Sequence, residues 1–213
     1  LSTHGQGFIE GNAWNYSLYV PHDISYFIRM TGGEERFIRR LDSLFTMHLD
    51  DQHFAGTEDV TRVGLIGNYV HGNEPSHHVP YMYNWTSQPW KTQERVHQVV
   101  NTMYHNRPDG LCGNDDCGQM SAWYIFSVLG FYPVCPGSGE YAIGTPGLQE
   151  AEVSLPGGKI LKIIVKNYSE KNFYVKSVTL NDQKIVTPVL RHRDLVEGGT
   201  LVFEMAGKWK STK

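Results

Sequence analysis

Two adjacent carboxylates, Asp115 and Asp116, precede a segment that is otherwise almost entirely apolar. Ionised side chains are rarely placed beside a buried helix unless they are paired, bind a cation or transfer protons. Gly110, Gly113 and Gly118 surround the pair and permit tight backbone turns. We therefore predict a functional loop here. The alternative is that one of the two aspartates caps the following helix by accepting amide hydrogens of its first turn.

Glu10 is a second acidic group in a setting that suits chemistry, between Ile9 and a Gly-Asn-Ala-Trp sequence. Partly apolar surroundings of this kind favour the protonated form of a carboxyl group. Inverting glycoside hydrolysis needs one such acid and one carboxylate that activates water, about 6.5 to 9.5 Å apart. Glu10 is then the candidate acid, and the aspartate loop supplies the base. The structural alternative for Glu10 is a carboxylate at the start of a helix.

A third polar cluster combines oxygen donors with imidazoles within a few residues: Asn73, Glu74, His77 and His78. Such a cluster could bind a metal ion or a set of sugar hydroxyls. A zinc site formed by His71, His77 and His78 is the weaker interpretation, because no HExxH or paired-cysteine spacing accompanies it. The histidines could also simply form hydrogen bonds within the fold.

Four aromatic side chains, Trp14, Tyr81, Trp85 and Trp90, are candidates for stacking on the apolar face of a sugar ring. Aromatic residues of this kind more often belong to a core. We favour only Trp14, because it lies in the segment that carries Glu10.

Composition sets broad limits on function. The 213 residues are 40% hydrophobic and 19% charged, with a net charge of -3, as in a globular chain with a sizeable core. Lysine and arginine are scattered, without the basic, aromatic-rich runs that bind nucleic acid. No apolar stretch is long enough to span a membrane. The chain begins without a methionine or signal-peptide pattern, so we expect it to be part of a longer protein.

Helices and strands follow one another along the chain. Apolar spacing predicts helices over residues 22–32, 34–47, 92–105 and 118–130, of which the last is apolar nearly all round and therefore buried. Runs rich in Val, Ile and Tyr predict strands over 150–155, 159–167, 174–180, 183–187 and 200–205. The turn residues between them favour hairpins of an antiparallel sheet.

Four segments resemble, in order, the signatures of glycoside hydrolase family 92, the calcium-dependent, inverting exo-α-mannosidases. They are GFIEGNAWNYSLYVPHD (7–23), GNYVHGNEPSHHVPYMYN (67–84), NRPDGLCGNDD (106–116) and GNDDCGQMSAWYIFSVLGFYPV (113–134). The resemblance implies an α+β fold. Residues 1–136 would be the C-terminal portion of an (α/α)6 catalytic barrel, and residues 137–213 a small antiparallel β domain. The earlier barrel helices and an N-terminal β-sandwich would lie in a region missing from this chain.

The resemblance also assigns roles to residues. Glu10 matches the family's general acid, and Asp116, with Asp115, matches its base. Some members carry an acidic residue where Asn114 stands, so two of these three positions would assist the water. Asn73 and Glu74 would hold Ca²⁺, and the sugar would be bound by Trp14, Asn73, Glu74, His77 and Gln119.

The implied substrates are α-mannosides such as N-glycans or mannans, cleaved in the periplasm or outside a bacterial cell. Members specific for α-1,2 linkages often carry a His-Glu pair followed by Thr where this chain has Asn73-Glu74-Pro75. An α-1,3 or other linkage is therefore at least as plausible. The alternative function is a non-catalytic carbohydrate-binding fragment, which would not need two acidic loops.

Overall fold

The computed structural model describes residues 11–48 and 64–209, together with Phe8 and Asp50. The chain forms two compact units, and each draws on two stretches of sequence. The first unit contains residues 1–79 and 99–124, and the second contains residues 80–98 and 125–213. A domain boundary between residues 136 and 137 stays a prediction.

Helices form where the apolar spacing predicts them. The α-helices of the described chain are α1 (Ala13–Tyr16), α2 (Ile24–Met30), α3 (Glu34–Thr46), α4 (Trp90–Met103), α5 (Gln119–Leu129) and α6 (His192–Leu195). Short 3₁₀ segments occupy Glu74–Ser76, Val79–Trp85, Pro136–Ser138 and Pro156–Gly158. The four helices predicted from the sequence correspond to α2, α3, α4 and α5. Among the described helices, none has the length and apolar character needed to cross a bilayer.

Capping and burial explain two of these helices. Asp23 caps α2 by accepting a hydrogen bond from the amide of Tyr26 at 2.8 Å. Helix α3 turns one apolar stripe inward, and its buried residues are Phe37, Ile38, Leu41, Leu44 and Phe45. Gly67 lies close to the end of α3, and a Cβ atom there would come within 2.5 Å of the Phe45 carbonyl carbon. A glycine is therefore required at this position.

Helix α5 differs from its prediction. Met120, Trp123 and Ser127 are buried, but Tyr124 and Ile125 are 38% and 55% exposed. An apolar sequence thus predicted burial all round, whereas one face of this helix is open in the chain. Apolar content shows which faces can be buried, but the partner elements decide which faces are buried.

The strands are β1 (Leu65–Ile66), β2 (Tyr69–Val70), β3 (Phe131–Tyr132), β4 (Glu140–Ile143), β5 (Glu150–Ser154), β6 (Ile160–Lys166), β7 (Tyr174–Leu180), β8 (Gln183–Ile185), β9 (Val189–Arg191) and β10 (Gly199–Ala206). Strands β1 and β2 form a short hairpin in the first unit. In the second unit, one sheet has the order β5-β6-β10-β7-β8 and the other the order β3-β4-β9.

The prediction of an antiparallel β domain is wrong for one strand pair. The hairpins β5-β6 and β7-β8 are antiparallel as predicted, and the second turns through Asn181 and Asp182 in left-handed conformations. Strand β10, however, inserts between β6 and β7 and runs parallel to β6. Turn residues specify local hairpins, but they carry no information about a strand that arrives from elsewhere in the chain.

The larger sheet buries alternate residues of its central strands. Its core includes Leu161, Ile163 and Val165 of β6 and Leu201, Phe203 and Met205 of β10. Gly130, directly after α5, has a φ of 99°, and a Cβ atom there would lie 2.8 Å from the Phe203 ring. The helix therefore ends at a glycine against which this ring packs.

Candidate active site

The loop before α5 has an unusual backbone. Asp116, Cys117 and Gly118 have φ values of 43°, 57° and 89°, three consecutive left-handed residues. This conformation costs about 1–2 kcal/mol for a residue with a side chain. The surrounding structure must therefore hold Asp116 and Cys117 in place, as is common where a loop has a function.

The two aspartates of this loop have different surroundings. Asp115 Oδ1 accepts a hydrogen bond from the backbone amide of Ser121 at 2.9 Å, so this carboxylate caps α5. Asp116 is exposed to solvent. The capping alternative thus describes Asp115, whereas the carboxylate of Asp116 is accessible to a water or a substrate.

Asn73 combines burial with an unpaired polar atom. The residue is only 3% exposed, and its Oδ1 atom has no hydrogen-bond partner in the described chain. An unsatisfied buried acceptor is costly unless a ligand or water completes it. Glu74 follows directly, is half-buried and begins the 3₁₀ segment Glu74–Ser76. Two consecutive residues of this segment therefore carry hard oxygen donors.

These donors fit Ca²⁺ better than a metal that prefers imidazole or thiolate. Within the described residues, no group of three or more His, Cys, Asp or Glu side chains is placed to hold a metal ion. Calcium accepts amide, carboxylate, backbone carbonyl and hydroxyl oxygens. The orphaned amide oxygen of Asn73 is suited to such a mixed set.

His71 is fully buried between two phenols. Tyr104 donates its hydroxyl hydrogen to the Met120 carbonyl at 3.1 Å, so it accepts from His71 Nε2 at 2.6 Å. The other ring nitrogen, Nδ1, then accepts a hydrogen bond from the Tyr69 hydroxyl at 2.8 Å. Burial, with a smaller contribution from His77, holds the pKa of His71 well below its ordinary value. His71 is therefore a neutral structural residue.

His77 and His78 are also engaged within the fold. His77 Nε2 lies 2.9 Å from the His71 carbonyl, and His77 Nδ1 lies 3.0 Å from Gln119 Nε2. His78 Nε2 lies 2.8 Å from the Leu18 carbonyl. Burial lowers the pKa of His77 to about 4 and lowers the pKa of His78 as well. The zinc interpretation is therefore wrong, and the hydrogen-bonding alternative describes these histidines.

An asparagine capping box holds the segment that follows Glu10. Asn12 Oδ1 accepts hydrogen bonds from the amides of Trp14 and Asn15, and Asn15 Oδ1 accepts from the amide of Asn12. Asn15 Nδ2 donates to the carbonyl of Asn68 at 2.8 Å. The hydrogen bonds of Asn12, Asn15 and Asn68 were not predicted from the sequence. The Asn-x-x-Asn spacing was the available signal, since a capping box joins the N-cap to the third helical residue.

The aromatic candidates separate by environment. The guanidinium carbon of Arg40 lies over the Trp14 ring, 5.0 Å from its centroid, so one ring face of Trp14 is already covered. Tyr81 is fully buried and its hydroxyl bonds to Ser127 at 2.8 Å, as expected for a core residue. Trp90 stacks on Trp209 with centroids 5.0 Å apart.

Two of the predicted site residues, His77 and Gln119, are in contact in the first unit. Gln119, at the start of α5, contacts His77 of the segment that carries Asn73 and Glu74. Glu10 lies outside the described residues, so its separation from Asp116 stays a prediction.

Comparisons with known proteins agree on one family. The model of the glycosyl hydrolase family 92 catalytic domain matches residues 2–207. A family 92 α-mannosidase from Bacteroides thetaiotaomicron, solved in complex with mannoimidazole, is 45% identical with a TM-score of 0.87, over 93% of this chain and 26% of that one. A family 92 inverting mannosidase from the same bacterium is 36% identical with a TM-score of 0.80, over 94% of this chain and 28% of that one.

A further relative is named an uncharacterized secreted glycosidase, from Arthroderma benhamiae. It is 28% identical over 215 residues, which cover 100% of this chain and 25% of that protein. The chain thus spans about a quarter of the length of the relatives it matches. Because the family's catalytic-domain pattern extends over nearly all of the sequence, this chain belongs to glycosyl hydrolase family 92.

Proposed function

We propose that the protein carrying this chain is an inverting exo-α-mannosidase that requires Ca²⁺ and releases terminal mannose from α-mannosides such as N-glycans or mannans. Family membership supports a glycosidase, and two solved relatives are named mannosidases, one of them inverting. The observation that carries the proposal is the difference in contacts and exposure between the two adjacent aspartates before α5. Asp115 caps the helix, and its neighbour Asp116 is held in a left-handed conformation and is exposed.

The proposed chemistry is a single displacement. Glu10 donates its proton to the glycosidic oxygen as the bond from that oxygen to the anomeric carbon breaks. A water attacks the anomeric carbon from the opposite face, and the carboxylate of Asp116 takes the proton that the water loses. The products are mannose with inverted configuration and the freed alcohol. Proton exchange with solvent then restores both carboxyl groups.

Asp116 is a better candidate for the base than Asp115. A general base must reach the attacking water, and a carboxylate that is already bonded to a helix amide is restricted in its position. Asp115 instead fixes the start of α5, from which Gln119 extends. Its proposed contribution to the base is therefore to place Asp116.

Asn73 and Glu74 are the proposed protein ligands of Ca²⁺. When bound there, the cation would supply positive charge that attracts the hydroxyl oxygens of the terminal sugar. Asn73 Oδ1 is buried and unsatisfied, so the chain leaves an oxygen of the right chemistry available. Both side chains are also proposed to contact the sugar.

Trp14 and Gln119 complete the proposed sugar contacts. Arg40 covers one face of Trp14, so the other face would stack on the pyranose. The absence of the His-Glu-Thr sequence at Asn73-Glu74-Pro75 makes α-1,3 or another linkage at least as plausible as α-1,2.

We also propose which further domains the whole protein contains and where it is located. The relatives are about four times as long as the part that matches, which leaves room for the remaining helices of an (α/α)6 barrel and for an N-terminal β-sandwich. A periplasmic or extracellular location is supported by the name of the Arthroderma relative, a secreted glycosidase.

The stereochemistry of the first product tests this function. Proton NMR of the whole protein acting on an α-mannoside should show β-mannose before mutarotation produces the α-anomer. An initial α-anomer would mean retention of configuration and would overturn the assignment of Glu10 and Asp116. Absence of any released mannose would overturn the proposed activity itself.

A further inference from the structure

We infer that His77 is a positioning residue that fastens the loop of Asn73 and Glu74 to the first turn of α5, and that it does not contact the sugar. The inference rests on the proposed function for its catalytic consequence. Its structural basis is a set of three hydrogen bonds that engage the ring and the backbone of His77 together, which we call the His77 clamp. The clamp consists of His77 with the His71 carbonyl, Gln119 and Trp123.

The hydrogen-bond chemistry fixes the tautomer of His77. A carbonyl oxygen only accepts, so the contact of 2.9 Å to the His71 carbonyl requires the hydrogen to be on Nε2. A neutral imidazole then has an acceptor at Nδ1. Gln119 donates its amide Nε2–H to that atom at 3.0 Å. Both ring nitrogens are therefore used inside the chain, and neither is available for a sugar hydroxyl or a cation.

The backbone of His77 is held as well. Trp123 donates its indole N–H to the His77 carbonyl at 3.0 Å, and the His77 amide donates to the Glu74 carbonyl at 3.0 Å. The rings of His71 and Trp123 lie edge to face with centroids 4.4 Å apart. His77 itself is 1% exposed. The side chain is thus surrounded and cannot turn outward without breaking several bonds.

The clamp lies close to both loops that carry the proposed chemistry. His77 follows Glu74 by three residues, and its partner Gln119 follows Asp116 by three residues. The link therefore joins the proposed cation loop to the proposed base loop close to both. Displacements of about 1 Å in an active site can reduce the rate roughly 100-fold. A bond that fixes these two loops together is therefore expected to affect kcat.

Two substitutions at position 77 each remove one of the two hydrogen bonds that the His77 ring forms. His77→Asn places an oxygen as many bonds from Cα as Nδ1, so it keeps an acceptor for Gln119 but loses the donor to the His71 carbonyl. His77→Gln places an amide nitrogen as many bonds from Cα as Nε2, so it keeps that donor but loses the acceptor for Gln119. The two variants are both neutral amides and differ by one methylene.

The inference predicts an order of activities for the whole protein. His77→Asn should keep most of kcat on an α-mannoside, whereas His77→Gln should lose about 100-fold, with Ca²⁺ affinity by calorimetry falling in the same order. His78→Asn is the control, because it removes a neighbouring buried imidazole that hydrogen-bonds to the Leu18 carbonyl and contacts the Tyr19 ring. This control should lower the melting temperature and leave kcat close to wild type.

Two results would overturn the inference. One is a kcat for His77→Gln equal to or above that of His77→Asn. The other is a rise in KM for His77→Gln with kcat unchanged, which would indicate a direct contact with the bound sugar.

A measurement without substrate separates this inference from the proposed function. Unfolding free energies of His77→Asn and His77→Gln, each with and without Gln119→Met, give the coupling between positions 77 and 119. The clamp predicts that Gln119→Met lowers the unfolding free energy more in the His77→Asn background than in the His77→Gln background. An equal loss in both backgrounds would overturn the clamp. An inactive wild-type protein that shows the predicted difference would overturn only the proposed function.

Discussion

Asp115 Oδ1 accepts the backbone N–H of Ser121 at 2.9 Å, which makes one of two adjacent aspartates a helix cap. Asp116, the next residue, is exposed and left-handed. The two carboxylates thus share a loop but differ in what they contact. This difference leads to opposite expectations for their substitutions.

Asp115→Ala should destabilise the fold, and Asp116→Asn should not. Loss of an N-terminal cap costs about 0.5–2 kcal/mol of unfolding free energy. Asparagine tolerates the left-handed conformation of residue 116, so Asp116→Asn should unfold like the wild type while kcat falls roughly 100- to 10,000-fold. Urea denaturation and steady-state kinetics measure the two effects. Asp115→Asn, which keeps the capping oxygen, is the control, and a large loss of stability in Asp116→Asn would contradict the assignment.

Acid should weaken the fold through its buried histidines. Burial lowers the pKa of His77 from 6.5 to about 4 in the folded protein and also lowers the pKa values of His71 and His78. The unfolded chain therefore binds these protons more readily than the folded one. The unfolding free energy that these neutral histidines contribute is complete above pH 6.5 and is lost as the pH falls from 6.5 towards 4.

Thermal melts at a series of pH values from 7.5, above this window, down to 4, at its lower edge, measure the effect. His77→Asn should flatten the decline, because asparagine does not titrate. The prediction fails if the melting temperature of the wild type is constant over this range or if the variant shows the same slope.

Removal of Ca²⁺ should abolish turnover, and Ca²⁺ should restore it more effectively than Zn²⁺. Amide, carboxylate and sugar oxygens are hard donors that suit calcium. Asn73→Ala deletes the buried oxygen without a described partner, so it should weaken Ca²⁺ binding measured by calorimetry. Full activity after exhaustive chelation would remove the metal role of Asn73 and Glu74.

Arg40 should matter for substrate binding through Trp14. Its guanidinium lies over the Trp14 ring and donates to Ser17 Oγ at 2.6 Å, so Arg40→Met frees the ring to change its orientation. Cation–π contacts contribute about 0.5–2 kcal/mol. We expect KM to rise several-fold with little change in kcat.

Arg39→Met is the matched control for this variant. Arg39 lies on the same helix and forms an exposed ion pair with Glu35 one turn away, a contact of small energetic value. The control should leave KM unchanged. An equal rise in KM for both variants would show that a change in the surface of α3, rather than loss of the contact between Arg40 and Trp14, causes the rise.

Local patterns in the sequence predicted most of the helices and strands. Helix α3 forms where Phe37, Leu41 and Leu44 recur at helical spacing, and the β7-β8 hairpin forms around Asn181 and Asp182. Each of these signals lies within a few residues, where side-chain periodicity and turn chemistry act directly.

Pairings between distant residues could not be predicted in this way. Strand β3 pairs with β4, and β4 with β9, yet β3 and β9 have only two and three residues and their sequences carry no period. His77 and Gln119 are separated by 42 positions, so nothing near His77 in the sequence identifies its partner. The sequence therefore predicted a sugar contact for His77 but not the hydrogen bonds that its ring forms inside the chain.

The roles of acid and base are tested most directly when Glu10→Gln and Asp116→Asn are compared on two substrates. An α-mannobiose has a leaving group that needs a proton, and an activated dinitrophenyl α-mannoside has one that does not. Glu10→Gln should slow the disaccharide far more than the aryl mannoside, whereas Asp116→Asn should slow both alike, because every substrate needs an activated water. Equal slowing of both substrates by Glu10→Gln would contradict the assignment of acid and base.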